Sequence, residues 1–408
     1  MNDSYKKAVI RTIILGLQHT FTMFGSVVLV PKMLGLDISV AIFMAGLETI
    51  IFHIITKKKV PIFLGSSFEF IPPLVTASAL YGMEYALGGI VVCGIVYFLA
   101  ALLIYYLGTE KIVRIFPPII TGSISIAVGL SLASHAISLA SSYWIMAIFT
   151  FLLIALINVC CKGLTKLLSI VIGIAVSYTV AIFATTVGIA PMVDFSLIEE
   201  AAWLGVPKFT FAKFNLGATM IVLPYTICAI VDHIGDIVVT GAICKQDFCN
   251  DPGIHRTLIG DGVAASVSAL FGGPPNATYS ENIGVLALTR NYNPKTVRIA
   301  AIFAIVLGFI PKLSAVIASI PDCIIGGVSI VLFGTISAMG INQFVENKVD
   351  FSSSRNVIIV AAILILSIGS ATISFSFGEI NFSLEGIGLA AVVGIILNII
   401  LPVKSKKI

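Results

Sequence analysis

Long apolar runs, separated by short segments rich in charge, Pro or Gly, alternate along the whole chain. A helix needs about 20 apolar residues to cross a membrane, and most of the runs reach that length without the alternation of a β-strand. The pattern predicts an all-α membrane protein with about fourteen transmembrane helices, not a β-barrel. The predicted helices cover residues 9–31, 38–56, 61–80, 85–108, 115–137, 143–161, 167–190, 217–240, 258–272, 276–290, 296–317, 321–341, 355–375 and 384–402.

The third, ninth and tenth predicted helices are interrupted by Gly and Pro, in GSSFEFIPP (65–73) and FGGPPNATYSENIG (271–284). A further internal similarity links PPIITGSISI (117–126) to PDCIIGGVSI (321–330), half a chain length later. Two halves of seven helices run in opposite directions, because seven is odd. Inverted repeats with paired broken helices are typical of secondary transporters that bind their substrate near the middle of the membrane.

The composition agrees with a membrane protein. Of the residues, 58% are hydrophobic and 11% charged, whereas soluble proteins carry about 25% charged residues. This excludes a soluble enzyme and a nucleic-acid-binding protein. Cys244 and Cys249 lack the paired spacing of a zinc site, so no metal site is expected.

The basic residues predict the orientation of the chain. Short cytoplasmic loops collect Lys and Arg, and with fourteen helices nearly all of the 24 basic residues fall on the side of the two termini. The opposite side holds four: Lys32, Lys208, Lys213 and Lys312. We therefore expect a multi-pass protein of the cytoplasmic (inner) membrane with both termini cytoplasmic. The basic residues are then topology signals and no nucleic-acid partner is expected.

Several ionisable side chains fall inside the apolar runs. A charge at membrane depth is costly, so it normally faces a cavity and marks a substrate or proton path. Seven positions qualify: His19, Glu48, Glu69, Asp232, His233, Asp236 and Glu281. All except Glu48 are candidates for proton coupling, because carboxylates and imidazoles can take up a proton. For Glu48 and Asp236, a structural hydrogen bond remains an equally good interpretation.

The two breaks also supply candidate substrate-binding residues. Glu281 follows the Gly-Gly-Pro-Pro break, where unwound backbone leaves N–H groups free to bind a polar ligand. Phe68 and Tyr279 lie in the breaks and could stack on a planar ligand, and Ser67 adds a hydroxyl. His233 beside Asp232 has no Ser or Cys nucleophile in a recognisable motif, which disfavours an enzyme.

Four stretches resemble one transporter family over essentially the whole chain. They are LQHTFTMFGSVVLVP (17–31), PIFLGSSFEFIPP (61–73), DHIGDIVVTGAI (232–243) and ENIGVLALTR (281–290). The last fits a signature of an acidic or amide residue, Asn, any residue and Gly, followed after four residues by Thr and a basic residue. The sequence is similar to the nucleobase–ascorbate (nucleobase:cation symporter-2) family, and in particular to its bacterial uracil permease type.

The resemblance implies a site and a mechanism. Asp232 and Glu281 would hydrogen-bond the base, helped by the backbone at Phe68 and Ser280, and strand-like segments in helices 3 and 10 would cross there. Glu rather than Gln at position 281 favours uracil over xanthine. The implied activity is proton symport by alternating access, with the proton as coupling ion and no cofactor. A xanthine or purine permease of this family remains an alternative, and more remotely an anion transporter of the same fold.

The resemblance also implies a division of the chain. Residues 1–110 and 213–318 would form a core domain that moves against a gate domain, residues 111–212 and 319–408. The expected partners are a small nucleobase and membrane lipid, and a homodimer through the gate domain remains open.

Three positions depart from the family pattern. Asp232 stands where the family usually has Glu, Glu69 where a small apolar residue is common, and Ser280 where Gly is expected. Glu69 therefore adds a carboxylate beside the expected site, and we expect it to act in coupling or to compensate for the shorter Asp232.

Overall fold

The computed structural model describes residues 3–108, 117–377 and 380–402, which are mostly helical. The first half contains α1 (Asp3–Leu34), α2 (Ile38–Ile55), β1 (Leu64–Ser66), α3 (Ile71–Tyr81), α4 (Met83–Leu107), α5 (Pro118–Ser131), α6 (Ala133–Ala140), α7 (Trp144–Cys160), α8 (Leu164–Leu167), α9 (Ser169–Thr186) and α10 (Ser196–Glu200). The second half contains α11 (Leu216–Val222), α12 (Thr226–Cys244), α13 (Ile254–Leu270), β2 (Asn276–Thr278), α14 (Ser280–Thr289), α15 (Pro294–Gly308), α16 (Pro311–Ala318), α17 (Asp322–Glu346), α18 (Ser354–Ile368), β3 (Thr372–Phe377), β4 (Ile380–Glu385) and α19 (Gly386–Ile400).

The helices correspond closely to the predicted ones. Within the described residues, seven helical segments are long and apolar enough to cross a membrane, and α15 with α16 would form an eighth if counted as one bent span. Helices α3, α7, α18 and α19 are shorter apolar helices. Each of the fourteen predicted segments contains a helix, and the third and tenth contain a strand as well, so the predicted all-α membrane architecture is confirmed. The start of the predicted helix 115–137 lies outside the described residues, as do Lys111, Arg114, Lys404, Lys406 and Lys407.

Two predicted helices were wrong in part. The predicted helix 355–375 ends at Ile368, and β3 and β4 follow as an antiparallel hairpin. The sequences TISFSF and INFSLE alternate with a period of two, which favours strands over helix. The predicted helix 296–317 bends by 84° between α15 and α16, because a residue before Pro, here Ile310, is disfavoured in helical conformation.

The internal repeat marks close helix crossings. A Cβ atom on Gly122 in α5 would lie 2.8 Å from the main-chain oxygen of Gly340 in α17, and one on Gly326 would lie 2.2 Å from the main-chain nitrogen of Ala140. Only Gly allows these backbones to approach so closely, as is common between membrane helices. The glycines of the repeat therefore serve packing.

The helices pack in two groups. Helix α13 packs against α2 and α4, and α15 packs against α1 and α2. In the second group, α17 packs against α5, α6 and α7, while α18 packs against α5 and α19. Large apolar side chains such as Ile145, Val159 and Ile365 are exposed on the outside, as expected of helices that contact lipid.

Candidate functional site

The two interrupted segments meet as a short antiparallel ribbon. Strands β1 and β2 pair from Leu64 with Thr278 to Ser66 with Asn276, so the predicted crossing of strand-like segments is confirmed. The antiparallel direction is the one that two inverted halves require. At about 3.3 Å per residue the ribbon is only about 10 Å long, and α3 begins beyond one end of it and α14 beyond the other. The first turns of both helices, with their free N–H groups, therefore lie close together.

Glu281 lies in the first turn of α14 and is half-buried. Its carboxylate is within hydrogen-bond reach of the Tyr279 hydroxyl, which also accepts a 3.3 Å bond from the main-chain N–H of Ser26 in α1. The Tyr279 ring packs on Gly65, where a Cβ atom would lie 3.2 Å from a ring carbon. Tyr279 is thus held by the opposite strand and by α1, and its hydroxyl donates towards Glu281.

Three further carboxylates face the same region. Glu69, half-buried just after β1, accepts a hydrogen bond from the Ser67 hydroxyl. It is also within hydrogen-bond reach of Asp232 on α12. Asp236 lies one turn further along α12 and is within electrostatic range of both Asp232 and Glu281. Two of these predicted residues, Glu69 and Asp232, are therefore direct neighbours.

Phe68 closes one side of this region. Its side chain is buried, and its ring meets the ring of Phe333 on α17 edge to face, with the ring centres 5.8 Å apart. Phe68 follows β1, which packs on α1 and α2, so it belongs to the helix group of α2 and α13. Phe333 lies on α17 and belongs to the other group. The contact therefore joins the two groups beside the carboxylates. The side chain of Ser280 lies outside the part of the chain that the structure describes.

The two predicted histidines do not join the carboxylates. His19 on α1 hydrogen-bonds the side-chain oxygen of Asn282 through Nδ1, at 2.9 Å. His233 lies with Nδ1 3.3 Å from the Asp261 carboxylate on α13, and both residues are fully buried. His19 thus contacts the residue that follows Glu281 in sequence, and His233 contacts a carboxylate on α13. Neither histidine faces the four carboxylates of the site.

The sequence reasoning missed four residues around the site: Ser26, Asp261, Asn282 and Phe333. Asp261 carried a usable signal, because it is a charged residue inside the predicted helix 258–272. The rule that singled out Asp232 and Glu281 applies to it equally. Ser26, Asn282 and Phe333 carried no signal of their own, since a Ser, an Asn or a Phe in an apolar run is ordinary.

A stripe of exposed positions runs along α12 from the site to the end of the helix. Asp232, Gly235, Val239 and Ala242 are exposed, and Asp236 is half-buried. These positions are three or four residues apart, so they share one face. Two carboxylates, Asp232 and Asp236, lie on this face, and exposing them to lipid would be costly. The face is therefore better suited to contact water than lipid. The stripe ends at Ala242, near the end of α12 that the sequence predicts to be cytoplasmic.

The arrangement suits a small polar ligand better than a metal ion. Among the described residues, no three His, Cys, Asp or Glu side chains form a group that could hold a metal. Carboxylates accept hydrogen bonds, and the first turns of α3 and α14 supply N–H donors. Aromatic rings, Phe68 and Tyr279, flank this polar centre. A planar molecule with both donors and acceptors fits these groups.

Comparison with known proteins gives four similarities. The sequence model described as "Permease family", Xan_ur_permease, matches residues 10–375. The chain is 39% identical over 405 residues to the uracil permease of Bacillus subtilis, covering 95% of this chain and 91% of the relative. It is 38% identical over 401 residues to the probable uracil permease of Haemophilus influenzae, covering 96% and 94%. The transmembrane domain of the cyanobacterial bicarbonate transporter BicA has the same fold, with a TM-score of 0.66, 14% identity, and coverage of 95% of this chain and 96% of that one.

Proposed function

Since the chain belongs to the Xan_ur_permease family of permeases, we propose that it carries uracil across the membrane together with a proton. It is a multi-pass membrane protein and a transporter, because its relatives are permeases and not enzymes. Relatives named uracil permease, aligned over nearly the whole chain, support uracil as the substrate.

The observation that carries the proposal is the placement of Glu281 beside Tyr279 at the start of α14. Uracil has N–H donors flanked by carbonyl acceptors. The Glu281 carboxylate can accept a hydrogen bond from such an N–H, while N–H groups in the first turn of α14 donate to a carbonyl. Tyr279 orients the carboxylate, and the Phe68 ring covers a face of the base.

The contact between Glu69 and Asp232 supports proton coupling. Two carboxyl groups can hydrogen-bond each other only if one of them carries a proton. Uracil is neutral, so the membrane potential alone cannot drive its accumulation against a concentration gradient. A proton held by this pair and released with the base supplies the missing driving force. Asp236 lies within electrostatic range of both Asp232 and Glu281. A change of protonation in the Glu69–Asp232 pair can therefore be felt at Glu281 through Asp236.

The two helix groups support alternating access. We assign the group of α1, α2, α4, α13 and α15 to a core domain, residues 1–110 and 213–318, and the group of α5, α17 and α18 to a gate domain, residues 111–212 and 319–408. Phe68 meets Phe333 at their boundary, so movement of one group against the other opens or closes this side of the site. The exposed stripe on α12 is the path to the cytoplasm, with both termini on that side. Dimerisation through the gate domain stays a prediction.

The two alternatives differ in what they require of the site. A purine is larger than uracil, and Gln at position 281 would suit it in this family, whereas Glu stands here. An anion would need a basic side chain or bare helix N-termini near the site. The N-termini of α3 and α14 are present, but four carboxylates lie beside them and would repel an anion. The similarity to a bicarbonate transporter therefore extends to the fold and not to the site.

Competition for uptake tests the substrate directly. Purified protein in liposomes is given radiolabelled uracil and an inward proton gradient, with unlabelled uracil, xanthine or bicarbonate in excess. We expect uracil alone to abolish uptake of the label. Equal or stronger competition by xanthine would replace uracil with a purine as the substrate.

A further inference from the structure

A connector without helix or strand joins α10 to α11. It comprises residues 201–215, AAWLGVPKFTFAKFN. Its main-chain N–H groups bond main-chain oxygens at the ends of α15 and α13 and at the start of α4: Gly205 to Phe309 at 3.1 Å, Ala212 to Leu270 at 3.1 Å and Lys213 to Glu84 at 2.9 Å. The connector therefore runs across one end of the core group of helices, the end that the sequence predicts to be the outer one.

The connector is seated closely on these helices. A Cβ atom on Gly88 in α4 would overlap the main-chain oxygen of Lys213, so Gly alone allows the two backbones to approach this closely. The half-buried ring of Phe209 meets the rings of Phe43 and Phe271 edge to face, with the ring centres 5.5 Å and 6.2 Å apart. The main chain of the connector is thus held in place by the core group.

Most of the large apolar side chains of the connector are exposed in spite of this close seating. Five of them are 61% to 78% exposed: Trp203, Leu204, Val206, Phe211 and Phe214. Lys208 is exposed among them. The ammonium group of Lys312 on α16 lies 5.7 Å from the centre of the Trp203 ring and donates a 3.2 Å hydrogen bond to the main-chain oxygen of Ala201. So much exposed apolar surface in a short segment marks an interaction surface.

Neither water nor the hydrocarbon core of a membrane suits this segment. Water disfavours the five exposed apolar side chains. The hydrocarbon core disfavours an extended main chain, because N–H and C=O groups outside helices and closed sheets find no water to bond there. The headgroup layer suits both parts, since the main chain stays hydrated while apolar side chains reach towards the acyl chains, and Trp is enriched at this depth. From the same layer, the flexible stem of Lys208 carries its charge to the lipid phosphates.

We propose that the connector is a lipid-binding surface, whose partner is the phospholipid headgroup layer at this end of the core group. The side chains that enter the layer are Trp203, Leu204, Val206, Phe211 and Phe214. Because the main chain of the connector is bonded to α4, α13 and α15, its insertion holds this end of the core group at the membrane surface. The lipid contact is independent of which substrate the protein carries.

Trp203 is a natural reporter of the depth of the connector. The chain has two Trp residues, Trp144 and Trp203, so Trp144→Phe leaves Trp203 as the only source of Trp fluorescence. The purified full chain is reconstituted into phosphatidylcholine liposomes. Fluorescence is quenched from the water by acrylamide, and from the membrane by lipids brominated either close to the headgroup or near the end of the acyl chain.

Two control variants calibrate the measurement, each in the background Trp144→Phe with Trp203→Phe. Asn250→Trp places the reporter on the exposed loop between α12 and α13, in water. Leu152→Trp places it on the exposed side of α7, near the middle of that helix and therefore at hydrocarbon depth. We expect Trp203 to be quenched most by bromine close to the headgroup, at a depth of about 5 to 10 Å as for other interfacial segments. Acrylamide should quench it less than Asn250→Trp.

Three results would overturn the proposal. Acrylamide quenching equal to that of Asn250→Trp would place Trp203 in water, and a quenching profile equal to that of Leu152→Trp would place it in the hydrocarbon core. Protection from both kinds of quencher that disappears as the protein is diluted in lipid would mean that a second copy of the chain covers the surface. Should Trp144→Phe fail to fold, the difference in fluorescence between the parent and the Trp203→Phe protein isolates the same signal, and the same results decide.

Discussion

Lys32, near the end of α1, lies with Nζ 3.9 Å from the carboxylate of Asp322, the first residue of α17. The same ammonium group donates hydrogen bonds to the main-chain oxygens of Ala318 and Ile320. Lys32, in the last turn of α1, thus connects α1 to the segment that leads into α17. It also lines a cavity of about 400 Å³, together with Ser319 and Asp322. We expect this contact to hold the outer side closed while the stripe on α12 is open towards the cytoplasm.

Replacing Lys32 by Met is expected to favour the outward-open state. A hydrogen bond to a charged group is worth about 1.5 to 3 kcal/mol, so its loss shifts the balance of states roughly tenfold or more. The measurement is the labelling rate of a Ser319→Cys reporter by a membrane-impermeant maleimide, in a background without the native cysteines. Ser319 lines the cavity but is only 6% exposed, so we expect wider opening to speed its labelling.

Lys208→Met is the control for that experiment, because Lys208 is exposed and is predicted to lie on the same side of the membrane. We expect it to label like the parent. Parent-like labelling of the Lys32→Met protein would show that Lys32 does not hold the outer side closed.

Glu69 and Asp232 are expected to work as a pair. Glu69→Ala leaves Asp232 without the carboxyl group that it contacts, and we expect uracil uptake to fall about tenfold, as for one lost charged hydrogen bond. Asp232→Glu adds one methylene and restores the residue usual in the family, so uptake by the double variant should recover in part. Initial uptake rates in liposomes measure both effects. If Glu69→Ala transports like the parent in either background, compensation is ruled out.

The fold could be predicted to a large extent, because a helix that crosses a membrane must be apolar over about 20 residues. The lengths of the apolar runs gave α2, α4, α7 and α9 to within a few residues, and Gly and Pro marked both breaks. The β3–β4 hairpin was missed, because TISFSF follows an apolar run and was counted with it. The 84° bend at Pro311 depends on a single residue inside an otherwise continuous run.

The residues of the candidate site could be singled out where a residue type is costly in a membrane. Glu69, Asp232, Asp236 and Glu281 were all found by their charge, and the structure places them in one region. Their partners could not be found in this way, since the contact of Ser26 with Tyr279 or of His19 with Asn282 joins residues more than 250 positions apart in sequence. Such contacts depend on how the two halves cross. The orientation of the His233 side chain, towards Asp261, likewise depends on how α12 packs against α13.

Uracil accumulation is expected to require an inward proton gradient and to be independent of sodium. The acidic groups at the proposed site can carry a proton, and the Glu69–Asp232 contact requires one. Uptake into liposomes is measured with a pH gradient, with a sodium gradient, and with a protonophore added to each. Accumulation that survives the protonophore and follows the sodium gradient would contradict proton coupling.

Glu281→Gln gives the sharpest test of uracil recognition. The change keeps the size of the side chain, but it removes the negative charge and adds N–H donors, so an N–H of uracil would meet a donor or a weaker acceptor. Losing one charge-assisted hydrogen bond costs about 1.5 to 3 kcal/mol, or roughly ten- to a hundredfold in affinity. We therefore expect calorimetric titration in detergent to show weakened or lost uracil binding, with an unchanged melting temperature. Glu346→Gln, at the exposed end of α17, removes the same charge away from the site and should bind uracil like the parent. Unchanged binding by the Glu281→Gln protein would remove Glu281 from the site, and with it the main structural support for uracil as the substrate.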